Sequence, residues 1–321
     1  MIKYLHAFVA ICFLVFGQAS ANGLSRISVP LGDGVTPLQG AVWYPCAEAG
    51  GVVVLREVSL AGTLDCPITG TGLPMIVISH GARGWFGGHH DTAAALADAG
   101  FVVAAITHPD LGRRSWRTNR PAEVRRLIDH MVQDWPGRAS LDVQKIGFFG
   151  FSRGGYTGLV LAGAEPGFWR LLAHCMLNSE DLMCVSSGSS EPEAEAEWTA
   201  EDYTHDQRIS AAVIAAPLAQ VFSDGELSDI TIPVQLWRAE LDQLLPFPNH
   251  AEKVHQARET GSAYTVVENA GHFAFLPPCT GVQREAAEFI CKDDPAFDRA
   301  KFHVTFNQAV IAFFRQHFGM P

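Results

Sequence analysis

Ile146-Gly147-Phe148-Phe149-Gly150-Phe151-Ser152-Arg153-Gly154-Gly155-Tyr156-Thr157-Gly158-Leu159-Val160-Leu161-Ala162 is the stretch on which the reading of this chain turns. Its first part is an apolar run of strand length, and its last part reads as a helix of small and aliphatic residues. Between them lies G-x-S-x-G, with glycines two before and two after Ser152. Glycines at those positions let a chain turn sharply from strand to helix and let neighbouring backbone approach closely, so the serine is held up at the tip of the turn. The competing reading is a glycine-rich turn that happens to carry a serine.

Outward from this turn the chain alternates strands and helices. Upstream, Arg26–Pro30 and Leu38–Pro45 read as short strands around the turn Gly32-Asp33-Gly34, and a looped stretch follows. Pro74–Ser79 and Phe101–Ile106 are continuous apolar runs, the pattern of strands buried on both faces. Asp91–Gly100 lies between them as a helix stopped by Gly100. A second helix is expected with Asn119 as its cap and Pro121 in its first turn. Val124, Leu127, Ile128, Met131 and Val132 form its apolar stripe. Downstream, Ala211–Ala216, Ile232–Trp237 and Ala263–Val267 read as strands. Asp294-Pro295 opens a last helix carrying Phe297, Val304, Val310, Phe313 and Phe314. This rhythm, without internal repeats, predicts an α/β fold with a mostly parallel sheet and helices on both faces. Glu165 to Asp206 interrupts it as an insertion after the helix of Ser152. Its acidic, serine-rich centre, Ser186 to Glu197, cannot pack a core and reads as a solvated surface loop or a lid.

The chain has 321 residues and a formal charge of −11, without the basic footprint that nucleic-acid binding requires. Residues 1–21 read as an export signal. Lys3 provides the positive start, Ala7 to Phe16 the apolar segment, and Ala19-Ser20-Ala21 an A-x-A cleavage site, which places the mature start at Asn22. An uncleaved anchor is the alternative. No later segment reads as a membrane span. Beyond the signal stand Cys46, Cys66, Cys175, Cys184, Cys279 and Cys291, an even number in an exported chain, which suggests disulfides. Sequential pairing is expected because each pair closes one short local excursion. The spacing suits no zinc site.

A serine at such a turn acts as a nucleophile only with a base, a group that orients the base, and donors for the developing oxyanion. Asn269-Ala270-Gly271-His272-Phe273 follows a late strand, and among 13 histidines this context singles out His272 as the base. Asp242, in the loop beyond Ile232–Trp237, is the expected acid, with Glu240 and Asp224 as rivals. Ser79-His80-Gly81-Ala82-Arg83-Gly84 follows an earlier strand. The backbone N–H groups of Ala82 and of Arg153 are the expected oxyanion donors. Trp85, Phe86, Trp116, Phe273 and Phe275 fall in or near these loops, where they would line an apolar substrate pocket or simply pack the loops.

These landmarks, from Val42-Trp43-Tyr44-Pro45 through Ser79-His80-Gly81, Gly150-Phe151-Ser152-Arg153-Gly154-Gly155 and Asp242 to Gly271-His272-Phe273, span most of the chain. The pattern resembles the α/β-hydrolases, and within them the dienelactone-hydrolase-like and platelet-activating-factor-acetylhydrolase-like esterases. The resemblance implies an eight-stranded, mostly parallel sheet, no metal and no organic cofactor. Dienelactone hydrolases carry a cysteine where this chain has Ser152. The acetylhydrolase branch places its acid where this chain has Ala215-Ala216-Pro217. The expected activity is that of an exported serine esterase acting on a small-molecule or lipid-like ester through an acyl-enzyme. A secreted peptidase or amidase using the same three residues, and a hydrolase-like binding protein without catalysis, are the alternatives.

Overall fold

A computed structural model describes residues 22–32, 35–48, 50–110, 115–182, 184, 203–258 and 262–321. Ten strands form one mixed sheet in the order β10-β9-β8-β7-β5-β6-β2-β1-β4-β3. They are β1 (Asn22–Val29), β2 (Leu38–Pro45), β3 (Gly51–Leu55), β4 (Val58–Leu64), β5 (Leu73–Ser79), β6 (Val102–Ile106), β7 (Leu141–Phe151), β8 (Ile209–Ala215), β9 (Val234–Ala239) and β10 (Ser262–Val267). From β6 to β10 all neighbours run parallel. β2 joins β6 antiparallel, and β1 pairs with β2 antiparallel along its whole length.

The central strands read as unbroken apolar runs because both faces of the sheet are covered. On one face, Phe148, Val77, Ala104 and Ile214 meet α2 (Trp116–Gln133) and α3 (Arg153–Leu161) through Val124, Leu127, Ile128, Tyr156 and Leu159. On the other face, Phe149, Ile78, Val103 and Val213 meet α1 (His90–Asp98) and the long helix Arg299–Phe318 through Ala93, Leu96, Phe306, Val310 and Phe314. Adjacent residues on one strand thus feed opposite cores, as the two-residue period of a strand demands. The α/β class with helices on both faces is as the alternation predicts.

The sheet has ten strands where eight were expected. The extra length includes the hairpin β3–β4, in the stretch read as a loop. β3 sends Val52 and Val54 outward to solvent, so its sequence lacks the polar-out alternation that marks an edge strand. β4 reaches β1 through only two residue pairs, Gly23–Thr63 and Leu24–Leu64.

Two helix starts differ from expectation. α2 begins at Trp116 rather than after Asn119, so Pro121 lies inside it. A proline within a helix leaves the carbonyl four residues earlier without its N–H partner. Here the Tyr156 hydroxyl donates to Arg117 O at 3.0 Å, and the helix runs through. The last helix starts not at Asp294-Pro295 but at Arg299, where Asp298 accepts the Lys301 amide at 2.9 Å. Phe297 therefore precedes this helix, and Val304 lies on its exposed face.

The cysteines pair sequentially: Cys46–Cys66, Cys175–Cys184 and Cys279–Cys291. The second pair ties the helix Trp169–Leu177, inside the expected insertion, to the chain that follows it. The export signal, Asp33-Gly34 of the first turn and the acidic segment 186–197 lie outside the described residues. Among the described residues no helix is long and apolar enough to cross a membrane.

Candidate active site

β7 ends at Phe151, and the chain enters α3 through Ser152, whose φ of 56° and ψ of −115° are strained for any residue with a Cβ. A Cβ on Gly154 would lie 1.9 Å from Ser79 O, and one on Gly150 would lie 2.3 Å from Gly154 O. The G-x-S-x-G spacing is therefore required by close backbone approach on both sides of the turn. The turn is fastened to its neighbours as well. Ser152 N donates to Ala215 O at 2.9 Å, and Ser152 O accepts the Leu218 amide at 3.2 Å.

The loops after β9 and β10 remain bonded past the ends of their strands. Glu240 N donates to Val267 O, and Leu241 N to Ala270 O at 2.8 Å. This holds Asp242 beside the 3-10 helix His272–Phe275. Asp242 Oδ1 accepts the amides of Leu244 and Leu245 at 3.0 and 2.8 Å, while Oδ2 lies 2.7 Å from His272 Nδ1. With the carboxylate accepting at both oxygens, Nδ1 carries the ring proton, and Nε2 is left as an acceptor 2.9 Å from Ser152 Oγ. His303 braces the 3-10 helix from behind: Nε2 donates to Ala274 O at 2.9 Å, and Nδ1 faces Asp91 at 2.6 Å. Burial tends to raise the Asp91 carboxyl, but the bond and charge of His303 outweigh it and hold it at about 2.

The rival acids are engaged elsewhere. Glu240 accepts the Asn269 amide, and Asp224 sits exposed at the start of a short helix capped by Ser223. Ser152, His272 and Asp242 are thus brought into one string of hydrogen bonds, able to pass a proton from Oγ to Nε2 while a carboxylate balances the imidazolium.

Beside this string runs the His80–Gly84 loop, where a Cβ on Gly81 would lie 3.4 Å from Ser152 Cβ. Ala82 in this loop is exposed, and Arg153 opens α3. The first amides of a helix have no partner within it, so the Arg153 N–H is available at the turn. Below the loop lies a buried polar network that sequence reasoning missed. The His108 amide donates to His80 Nε2 at 3.0 Å, which puts the His80 proton on Nδ1, and Nδ1 donates to Gly81 O at 2.7 Å. Arg120, 0% exposed, donates to His80 O, Gly81 O and both oxygens of Asp110. Asp110 also accepts from Arg153 Nη1 at 3.2 Å. His108 lies between Ser79 Oγ at 2.9 Å and Glu123 Oε2 at 2.6 Å.

Burial, reinforced by the charge of Arg120, holds His80 and His108 well below the usual histidine range, so both rings are neutral. Burial pushes the Glu123 carboxyl up to about 7. It would also raise Asp110, but the hydrogen bonds and charge of Arg120 prevail and hold it at about 2. Burial and the nearby Arg120 lower the Arg153 guanidinium to about 10, where it stays charged at neutral pH. One sequence signal could have found the network. Arg120 and Glu123 both fall on the apolar stripe of α2, four and one residues before Val124, where a charge demands a buried partner.

The aromatic residues divide. Phe273 is half-buried with its ring edge-on to His272 at 5.2 Å, and Trp85 and Phe86 are half-buried and pack on each other at 5.0 Å. Trp116 is buried against Tyr156 and Phe168, with the Arg153 guanidinium 4.2 Å above its ring. It supports Arg153 rather than offering a free wall. Phe275 is fully enclosed and belongs to the core. Among the described residues no three His, Cys, Asp or Glu side chains gather as a metal-binding group. The chain matches no protein-family model, and no curated protein matches it.

Proposed function

We propose that this chain is an α/β-hydrolase of the dienelactone-hydrolase-like and acetylhydrolase-like kind, an exported serine esterase. The observation that carries this reading is the hydrogen-bonded string Ser152–His272–Asp242 mounted on a strained strand-to-helix turn. In the proposed reaction Ser152 Oγ attacks the ester carbonyl carbon, and its proton passes to His272 Nε2. The carbonyl oxygen becomes an oxyanion facing the N–H groups of Ala82 and Arg153. Collapse breaks the bond to the alcohol oxygen, which takes the proton from Nε2 and leaves as the alcohol. Water then gives a proton to Nε2, attacks the acyl-enzyme, and releases the acid as the serine regains its hydrogen. Asp242 holds the imidazole tautomer throughout.

Phe273 and the Trp85–Phe86 pair supply apolar surface suited to an acyl or aryl group. Export is favoured by three disulfides, which persist in oxidising compartments. The deciding experiment is hydrolysis of p-nitrophenyl esters from acetate to palmitate by the protein and by its Ser152→Ala variant. Turnover that disappears in the variant is expected. Turnover retained by it, or none in the folded parent, would sink the reading.

A further inference from the structure

We infer that Arg120, with Asp110, is a positioning residue that sets both oxyanion donors, a reading that rests on the esterase function proposed above. In a trans peptide the C=O of one residue and the N–H of the next point in opposite directions. Gly81 O is gripped from the buried side by Arg120 Nη2 at 3.1 Å and by His80 Nδ1 at 2.7 Å. That grip turns the Ala82 N–H the other way, in a peptide whose Gly81 would bring a Cβ to 3.4 Å from Ser152 Cβ. Arg120 Nη1 fixes the preceding peptide through His80 O at 2.6 Å.

The other edge of the same guanidinium holds Asp110, with Nε to Oδ1 and Nη2 to Oδ2 both at 2.7 Å. Asp110 Oδ2 in turn holds Arg153, the residue that carries the second donor on its backbone. The same guanidinium lies over the Trp116 ring at 4.2 Å. One planar fork therefore links two loops that come from distant parts of the chain. Only arginine offers donors in this fixed geometry; a lysine would keep the charge and lose the fork.

The test compares the parent protein with Arg120→Lys and Asp110→Asn on p-nitrophenyl butyrate, and measures inhibition by an alkyl trifluoromethyl ketone. That inhibitor adds to the serine and presents an oxyanion in place of the transition state. If the fork positions the donors, Arg120→Lys lowers kcat about a hundredfold, the scale of losing one oxyanion donor, with KM nearly unchanged. Its affinity for the ketone should fall by the same factor as kcat/KM. Asp110→Asn preserves shape and should show the same proportionality with a smaller loss. It carries the test should Arg120→Lys fail to fold. Ketone affinity unchanged while kcat falls, or kcat within threefold of the parent in a folded variant, would overturn the inference. Lack of ester turnover in the parent itself would instead overturn the esterase reading, and this inference with it.

Discussion

Two strings of serine, histidine and carboxylate lie side by side in this protein with nearly the same bond lengths. Ser152–His272–Asp242 spans 2.9 and 2.7 Å, and Ser79–His108–Glu123 spans 2.9 and 2.6 Å. The first stands on a strained turn at the carboxyl end of the interior strand β7. The second is sealed: Ser79 is 0% exposed and ends a regular strand paired with Gly150. Ser79 has neither the left-handed backbone that lifts a hydroxyl out of its strand nor a path for an incoming carbonyl. The same connectivity therefore proposes a nucleophile in one place and a strut in the other. What separates them is access, backbone strain and facing donors, not the bonds within the string.

That contrast can be broken most forcefully at the two serines. Ser152→Ala is expected to lower kcat by about 10⁶-fold, with the Tm within a few degrees of the parent, read by ester hydrolysis beside thermal melting. A deep loss of turnover in Ser79→Ala as well would erase the distinction. At the carboxylates the difference should be smaller but still large. Asp242→Asn should cost about 10⁴-fold in kcat, because the amide favours the wrong imidazole tautomer. Glu123→Gln, measured in the same assay at pH 7.5, should stay within tenfold of the parent.

Glu123 should instead reveal itself in stability. Its carboxyl is raised in the fold from 4.5 to about 7, so the protonated form is favoured by folding. Its stabilising contribution is therefore complete below pH 4.5 and is lost as pH rises through about 7. Denaturant midpoints taken between these limits should fall with pH more steeply in the parent than in Glu123→Gln. Parallel curves would show that the His108–Glu123 pair does not hold that proton. The smallest effect belongs to Ser79→Ala, which removes one buried hydrogen bond. It should cost about 1 kcal/mol in chemical denaturation and less than tenfold in rate.

The first string was legible in the sequence and the second was not. Ser152 and His272 each sit in a local signature, glycines at fixed offsets directly after an apolar run. Asp242 was the expected acid over Glu240 and Asp224, and the pairing of β9 with β10 brings it to His272. The helix through Pro121 was misread because the Tyr156 hydroxyl that replaces the missing donor comes from another helix. The β3–β4 hairpin was missed because its outward valines hide the strand period.

The sequence by itself determined the alternation of strands and helices and the turn at Ser152, singled out His272, and favoured the sequential cysteine pairing. Each of these depends on residues close together along the chain, where backbone sterics and side-chain periodicity act directly. Only the tertiary structure decided which carboxylate meets His272 and that Arg120 is buried beneath the His80–Gly84 loop. It also decided that Trp116 and Phe275 face inward. Those outcomes depend on contacts such as His272 to Asp242, 30 residues apart, and Arg120 to His80, 40 residues apart. A buried charge must find its partners wherever packing brings them, and no local pattern specifies that meeting.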